Sequence, residues 1–280
     1  MGDIQDIFST FYPSPNDAAE HERLNLQSAA IDEMMHGKYH HAPLNKPSKI
    51  LEVGSGTGAI TRKLANQHPS ASVISNDISP IPDQERLPRN VACLQGDFHT
   101  FAGDETVFPP GYFDYIFSRM LVYGMTDWRE YIAQAKSLLA PGGYLELQEL
   151  DVSRFWDADQ NPLPRDAYAI GMELEFMRQG LVVDIAPKLA GLLRNAGFVN
   201  VEVKEFRWMF GEWPGHPETE NISAYSTKYL GSASFDAYKR ILGSGKTPEH
   251  LAAIERKMLR YFSEKAGKHQ RFWVVVGKKA

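Results

Sequence analysis

The sequence predicts an α/β fold built on a mostly parallel sheet, and three observations lead there. The run Lys49-Ile50-Leu51-Glu52-Val53 is a short apolar strand that passes into Gly54-Ser55-Gly56-Thr57-Gly58, with Ala59 to Gln67 reading as the helix behind it. Strand and helix patterns then alternate, with strands at 48–53, 71–76, 91–94, 113–118 and 143–150 and helices at 59–67 and 129–139. That alternation predicts parallel strands joined by right-handed crossovers. Val199, Val201 and Val203, and later Arg271 to Val276, add two more strands whose connection is far too long for a hairpin. A ligand in such a sheet sits at the carboxyl ends of the strands, near the point where strand order reverses.

The remaining elements follow in order. Asp17-Ala18-Ala19-Glu20 has capping-box spacing, and the helix it starts runs to about Met35 with Leu24, Ile31 and Met35 on one face. Residues 151–183 hold few strand signals and many aromatics or methionines: Phe155, Trp156, Tyr168, Met172, Phe176 and Met177. Asp184 caps a helix with Ile185, Leu189, Leu192 and Leu193 on its apolar face, closed by Gly197. A second amphipathic helix runs through Leu251, Ile254, Met258 and Phe262. The expected organisation is a lid helix at 17–35, a core of 48–150, 184–206 and 270–277, and a helical cap made of 151–183 and 207–268.

Composition narrows the function. A chain of 280 residues with 43% hydrophobic content can bury a large core in one elaborated domain. No charged leader precedes an apolar run, and no apolar stretch reaches about 18 residues, so neither secretion nor membrane spanning is expected. The one cysteine, Cys93, lies in the apolar run Val91-Ala92-Cys93-Leu94 and reads as a buried small side chain. A single thiol fits a reducing, cytoplasmic setting. The net charge of −5 argues against a broad nucleic-acid footprint, and the basic C-terminal residues (Lys239 to Arg271) alternate with acids as a solvated helix face does. His36, His40 and His41 have helical spacing but no matched carboxylate or cysteine, so no metal site is expected.

The glycine loop admits two cofactors. Gly54-Ser55-Gly56-Thr57-Gly58-Ala59 satisfies the dinucleotide pattern, and Asp77 follows at the separation of a ribose-binding acid. Glu52, two residues before the first glycine, favours S-adenosylmethionine, whose methionine ammonium a buried carboxylate could meet. The alternating G-x-G-x-G also suits a wide turn around a sulfonium ligand better than a pyrophosphate cradle, and the downstream segments come in matching order.

These segments resemble the class I S-adenosylmethionine-dependent methyltransferases. Val73-Ile74-Ser75-Asn76-Asp77-Ile78-Ser79 is similar to their second strand, and Leu94-Gln95-Gly96-Asp97-Phe98 to their adenine corner. Phe113 to Met120 is similar to the fourth strand, and Leu139-Ala140-Pro141-Gly142-Gly143-Tyr144-Leu145-Glu146-Leu147 to the turn and fifth strand. More narrowly, Pro15-Asn16-Asp17 through Glu22-Arg23-Leu24 and Gln27, Ser118-Arg119-Met120-Leu121 with Asp127-Trp128, Gly142 to Gln148, and Asp184-Ile185-Ala186-Pro187-Lys188-Leu189 resemble the fungal LaeA-like (UMTA-type) methyltransferases. The resemblance implies a Rossmann-like seven-stranded sheet with an antiparallel last strand. It departs from the family at Asn76 and in the proline-rich segment from Pro80 to Pro88, where the usual helix should be short or absent.

Site residues follow from the resemblance. Gly54, Ser55 and Gly56 would lie against the cofactor, and Asp77 with Ile78 at its ribose, with a turn cap as the alternative for Asp77. Gly96, Asp97 and Phe98 would meet adenine, the alternative being a plain turn over a buried Phe98. Ser118 and Arg119 would present carbonyls to the methionine ammonium beside Glu52, unless Arg119 pairs with a nearby acid. Arg23 would reach the cofactor carboxylate from the lid helix, where a solvent stripe is the alternative. A general base stays open among His99, Tyr123, Glu149 and Asp151, one of which could merely cap backbone. The implied activity is methyl transfer (EC 2.1.1 class) to oxygen or nitrogen of a small apolar or aromatic metabolite, yielding S-adenosyl-L-homocysteine, in fungal secondary metabolism. The alternatives are a S-adenosylmethionine-binding protein that transfers no methyl (a regulatory partner, nuclear in that case, or a pericyclic or isomerising catalyst) and a NAD-dependent oxidoreductase. A homodimer, and a protein partner in the regulatory version, stay open.

Overall fold

The computed structural model describes residues 17–165, 167–264 and 267–280, and the side chains of 167–169 and 241 are not part of that description. Pro15, Asn16, Lys265 and the Tyr168 side chain, all used above, lie outside the described residues. The sheet is mostly parallel and Rossmann-like. Strands β1 (Lys49–Val53), β2 (Ser72–Asp77), β3 (Val91–Gln95), β4 (Phe113–Arg119) and β5 (Leu139–Leu150) are parallel in the order β3-β2-β1-β4-β5. After them β8 (Lys268–Lys279) runs antiparallel to β5 and to β7 (Phe198–Phe210), so the antiparallel last strand holds. The sheet has eight strands instead of seven, because the two-residue β6 (Trp156–Asp157) rejoins the same side of β8 beyond the end of β5.

Helices cover both faces. On one, α4 (Trp128–Leu138) and α6 (Leu189–Asn195) pack Trp128, Tyr131, Leu138 and Leu193 against Leu145, Leu147 and Val275. On the other, α1 (Ala18–Met34) and α2 (Ala59–Gln67) pack Ile31, Met34, Ile60 and Leu64 against Ile50, Val73 and Phe117. β1, packed from both sides, is buried from Ile50 to Val53. Asp17 caps α1 by accepting from the Glu20 N–H at 2.9 Å, as its spacing predicts. A third cluster joins Met172 and Phe176 of α5 (Ala167–Arg178) to Tyr238 of α8 (Gly231–Leu242) and Met258 of α9 (Pro248–Ser263). No helix among the described residues is long and apolar enough to cross a membrane.

The crossover from β2 to β3 carries only the single 3-10 turn Gln84–Arg86, in keeping with its prolines. This corrects the reading of Cys93: β3 is an edge strand, and the thiol is exposed. Asp184 does not cap a helix. Its carboxylate accepts from Lys188 Nζ at 2.6 Å, and α6 is entered through the turn Ala186–Lys188 without a side-chain cap. Val199, Val201 and Val203 lie in β7 as expected, with Val199 and Val203 42% and 39% exposed. A register shift between Val199 and Glu202 breaks the alternation on the edge strand β7, leaving Val201 to reach the core. In the basic C-terminal region, Lys268 departs from the solvated face, being buried with its ammonium donating to the Tyr261 carbonyl.

Candidate active site

A cavity of about 530 Å³ opens at the carboxyl ends of β1 to β5. Its floor is the glycine loop, folded by backbone bonds that need left-handed glycines. The N–H groups of Gly54 and Ser55 both donate to the Asn76 carbonyl, at 2.8 and 3.1 Å. Gly54 has φ +73°, and a Cβ there would collide with Leu121 Cδ2. Gly58, also at φ +73°, opens α2, so that helix presents bare N–H groups toward the loop.

Asp77, the last residue of β2, binds the loop and the turn beyond. Its Oδ2 accepts from the Gly56 N–H at 2.7 Å and its Oδ1 from the Ser79 N–H at 2.9 Å. Burial raises its pKa, against the lowering effect of those N–H donors. Two lone pairs remain, so the carboxylate is both the turn cap and an open acceptor on the cavity wall. Ile78 is 40% exposed and lines the same wall.

Glu52 is buried at the cavity floor and accepts from the Thr61 hydroxyl. Burial pushes its carboxyl up to about 7, the Thr61 bond and the Arg119 charge opposing. Gly96 (φ +145°) and Asp97 follow β3 and line the wall with the buried Phe98. Asp97 also caps α3 (Phe98–Ala102), accepting from the His99 N–H at 3.2 Å. The turn alternative is therefore met, and Asp97 also lies on the cavity wall.

On the opposite wall stands α1. Arg23 lines the cavity with Glu20, which grips its guanidinium through two 2.6 Å bonds, and Arg23 donates onward to the Tyr225 hydroxyl. The stripe predicted on α1 thus faces the cavity, not solvent. Thr57 Oγ1 donates to Asn25 Oδ1 at 2.6 Å, tying α1 to the glycine loop.

Several expected residues stand elsewhere. Ser118 is fully buried, paired between Val53 and Leu147, and does not line the cavity. Arg119 lines the cavity, but its guanidinium turns to Asp32 (3.0 Å), Gln148 (2.7 Å) and the Tyr39 carbonyl (2.9 Å), which is the ion-pair alternative. Of the four base candidates only Tyr123 lines the cavity. Glu149 accepts from the Leu121 and Val122 N–H groups at 2.8 and 3.1 Å, and burial pushes its carboxyl to about 8. Asp151 binds Ser153, and His99 Nδ1 pairs with Gln134 at 2.8 Å. Burial pushes the Tyr123 phenol to about 12, which makes it a donor and not a base. Met177 and Trp156 also lie outside the cavity wall, whereas Phe155, Met172 and Phe176 are on it. Among the described residues no group of three His, Cys, Asp or Glu is placed to hold a metal.

Sequence reading missed Asn76 and Met120. The Asn76 amide donates to the Leu94 and Gly96 carbonyls at 3.0 and 2.9 Å, fixing the β2 and β3 ends side by side. Met120 follows β4 in the left-handed region at φ +59°, on the cavity wall, with its N–H on the Gln148 carbonyl. Only the Asn76 departure from the family pattern signalled either.

A family model described as a methyltransferase domain matches residues 25–203. The chain belongs to the methyltransferase-domain family. Methyltransferase pytC of Aspergillus terreus is 30% identical over 251 residues, spanning 87% of this chain and 75% of that protein. The secondary metabolism regulator laeA of Coprinopsis cinerea is 32% identical over 103 residues, 37% of this chain and 25% of that protein. Among solved structures, a S-adenosylmethionine-dependent methyltransferase from Mesorhizobium loti superposes with a TM-score of 0.51 at 17% identity, covering 91% of this chain and all (100%) of the other. The methyltransferase fold therefore extends through the strands and turns that build the cavity.

Proposed function

We propose that this methyltransferase uses S-adenosylmethionine to methylate oxygen or nitrogen of a small apolar or aromatic metabolite, in a LaeA-like fungal secondary-metabolism setting. One observation carries the reading: a single cavity runs from the glycine loop and Asp77 to a wall of Met172, Phe176, Trp208, Leu230, Met258 and Phe262. The first half is polar and glycine-lined, the second apolar, as a nucleoside cofactor beside an apolar acceptor requires.

The cofactor is S-adenosylmethionine, and this chain's polar groups fit it. Ser55 Oγ is buried on the cavity wall with no hydrogen-bond partner among the described residues, and the Asp77 carboxylate keeps acceptor capacity. Asp77 would hold the ribose hydroxyls, Asp97 and Phe98 the adenine, Glu52 the ammonium and Arg23 the carboxylate. Once bound, the cofactor supplies a methyl group already activated by its sulfonium. The protein's task is to align the acceptor with that group and exclude water, for which the apolar half serves. Tyr123, where the two halves meet and in ring contact with Phe176 at 5.7 Å, would donate a hydrogen bond to the acceptor atom's substituent. The division into lid helix, core and cap belongs to this reading. The exposed Cys93 thiol supports a reducing, cytoplasmic setting.

Mixing the protein with methyl-labelled S-adenosylmethionine and a panel of phenolic, indolic and amine metabolites tests the proposal. Label should pass to an acceptor with one S-adenosylhomocysteine formed per methyl. Tight cofactor binding with no transfer to any acceptor would favour the non-methylating alternative, and binding of NAD alone would overturn the cofactor.

Glu52 adds a pH dependence. An ammonium beside it lowers its pKa, so a carboxyl that holds its proton up to about 7 in the free protein must release it on binding. Affinity should climb as pH rises toward about 7, by up to about tenfold per unit, then level off. Calorimetry in buffers of differing ionisation enthalpy counts the released proton. Glu52→Gln should flatten the acid limb, whereas an unchanged limb would remove Glu52 from the ammonium site.

A further inference from the structure

Strand β8 presents an apolar face to the α1 side of the sheet, interrupted where it reaches the cavity. Phe272, Val274 and Val276 all belong to the second core cluster. Period-two alternation carries the same face on to Gln270. The cross-strand partner of Gln270 on β7 is Trp208, fully buried in that cluster and on the cavity wall. Gln270 lines the cavity as well and is only 5% exposed. Phe272, one step deeper on the face, does not line it.

The Gln270 amide has no hydrogen-bond partner among the described residues. Its polar neighbours are engaged. Trp208 Nε1 donates to Ser226 Oγ at 2.8 Å, and Lys268, the next position along the face, donates to the Tyr261 carbonyl. Two other glutamine amides are also held, Gln27 by the Tyr225 hydroxyl (3.1 Å) and Gln148 by the Tyr39 carbonyl (3.0 Å). A buried amide that the fold leaves unpaired is destabilising, and native chains keep few such groups. Methionine or leucine would continue the apolar face, so packing alone gives no reason for glutamine.

A ligand does. A primary amide offers one carbonyl acceptor and two N–H donors, and it carries no charge. The same wall holds Trp208, Phe155, Tyr261 and Phe262, whose rings suit an aromatic partner. A carboxylate fits less well. Among the cations lining the cavity, Arg165 is ion-paired with Glu173, while Arg154 and Lys257 are exposed, where an ion pair contributes little.

We propose that Gln270 selects the acceptor: its amide binds a neutral carbonyl or hydroxyl oxygen carried by an aromatic substrate, against hydrocarbon and carboxylate analogues of the same shape. This deepens the methyl-transfer reading and rests on it.

Calorimetry on the full-length protein, with and without S-adenosylhomocysteine, tests it with naphthols that differ only on the far ring: acetyl, hydroxyl, ethyl or carboxylate. The acetyl or the hydroxyl compound should bind at least about tenfold more tightly than the ethyl and carboxylate ones, which leave the amide unpaired. In Gln270→Met, which nearly keeps the volume, that margin should shrink to about twofold or less. The S-adenosylhomocysteine Kd should stay unchanged, and the thermal midpoint should not fall, as it would if the amide served the fold. Equal binding of all the naphthols, tightest binding of the carboxylate, binding of none, or a margin that survives in Gln270→Met would each overturn the proposal. Failure of S-adenosylhomocysteine to bind would instead overturn the cofactor reading, and the naphthol comparison is still read in the free protein.

Discussion

Replacing Asp77 with alanine should weaken S-adenosylmethionine and S-adenosylhomocysteine binding by one to a few orders of magnitude, as read by calorimetry. Charge-assisted bonds to the two ribose hydroxyls contribute about 1.5–3 kcal/mol each. The substitution does more than remove them. Asp77 also accepts from Gly56 and Ser79, so the glycine loop and the turn after β2 lose their common anchor. Asp77→Asn keeps one acceptor and should fall between the two. The stabilisation given by a ligand at a hundred times its Kd, about 2.7 kcal/mol in the wild type, should fall to about 1.4 kcal/mol or less in Asp77→Ala at the same concentration. The ligand-free variant should melt close to the wild type, because Asp77 lies on the cavity wall and not in a core cluster. An unchanged Kd would place the ribose elsewhere and leave Asp77 as a turn cap.

Glu146→Leu should be the most destabilising single change, although it touches no ligand. Glu146 is fully buried in β5 and accepts from the His41 and Ala42 N–H groups (2.9 and 2.8 Å), the Tyr115 hydroxyl (2.9 Å) and the Gln148 amide (2.6 Å). Burial, then the Glu146 charge, pushes the Tyr115 phenol well above its usual range, so it stays a donor. Leucine would fill the space and leave these donors unpartnered, and removing one partner of such a buried polar network costs on the order of 3–5 kcal/mol. The thermal midpoint should drop by roughly 6–15 °C in calorimetric melting. The damage should spread through Gln148 to Arg119, which share the Tyr39 carbonyl. A loss below about 1 kcal/mol would mean that water satisfies these donors as well as Glu146 does.

The two cases differ in how far they can be read from residues alone. Asp77 and the glycine loop are local: φ values only glycine accepts, an acid at the end of the next strand, and a helix N-terminus behind them. Such features need only a few neighbours in sequence. Glu146 was read simply as part of a strand, because its four donors come from residues 31 to 105 positions away as well as from its near neighbour Gln148. The side-chain positions of Ser118 and Arg119 were out of reach for a related reason. A strand's end is legible, but whether its last side chain enters the crevice or the sheet depends on the pairing register with β1 and β5. Glu149 looked like a base because it ends a strand beside the crevice. Its carboxylate is consumed by the turn Leu121–Tyr123, whose backbone N–H groups no local residue satisfies. Cys93 was misplaced because an apolar run marks a strand, not whether that strand lies at the edge of the sheet.

By itself the sequence determined the α/β alternation, the order of strand, glycine turn and helix, the acid that ends β2 beside the glycine loop and the shortened β2–β3 crossover. Each is set by backbone sterics or hydrophobic periodicity over a few residues. Only the tertiary structure decided that β6 adds an eighth strand, that Glu52 and Glu149 are carboxyls shielded from water, that Arg119 is spent on an ion pair, and that α1 and α5 share one cavity. Those outcomes depend on which distant groups exclude water from a side chain or donate to it, and burial and hydrogen bonding of that kind exist only once the chain has closed on itself.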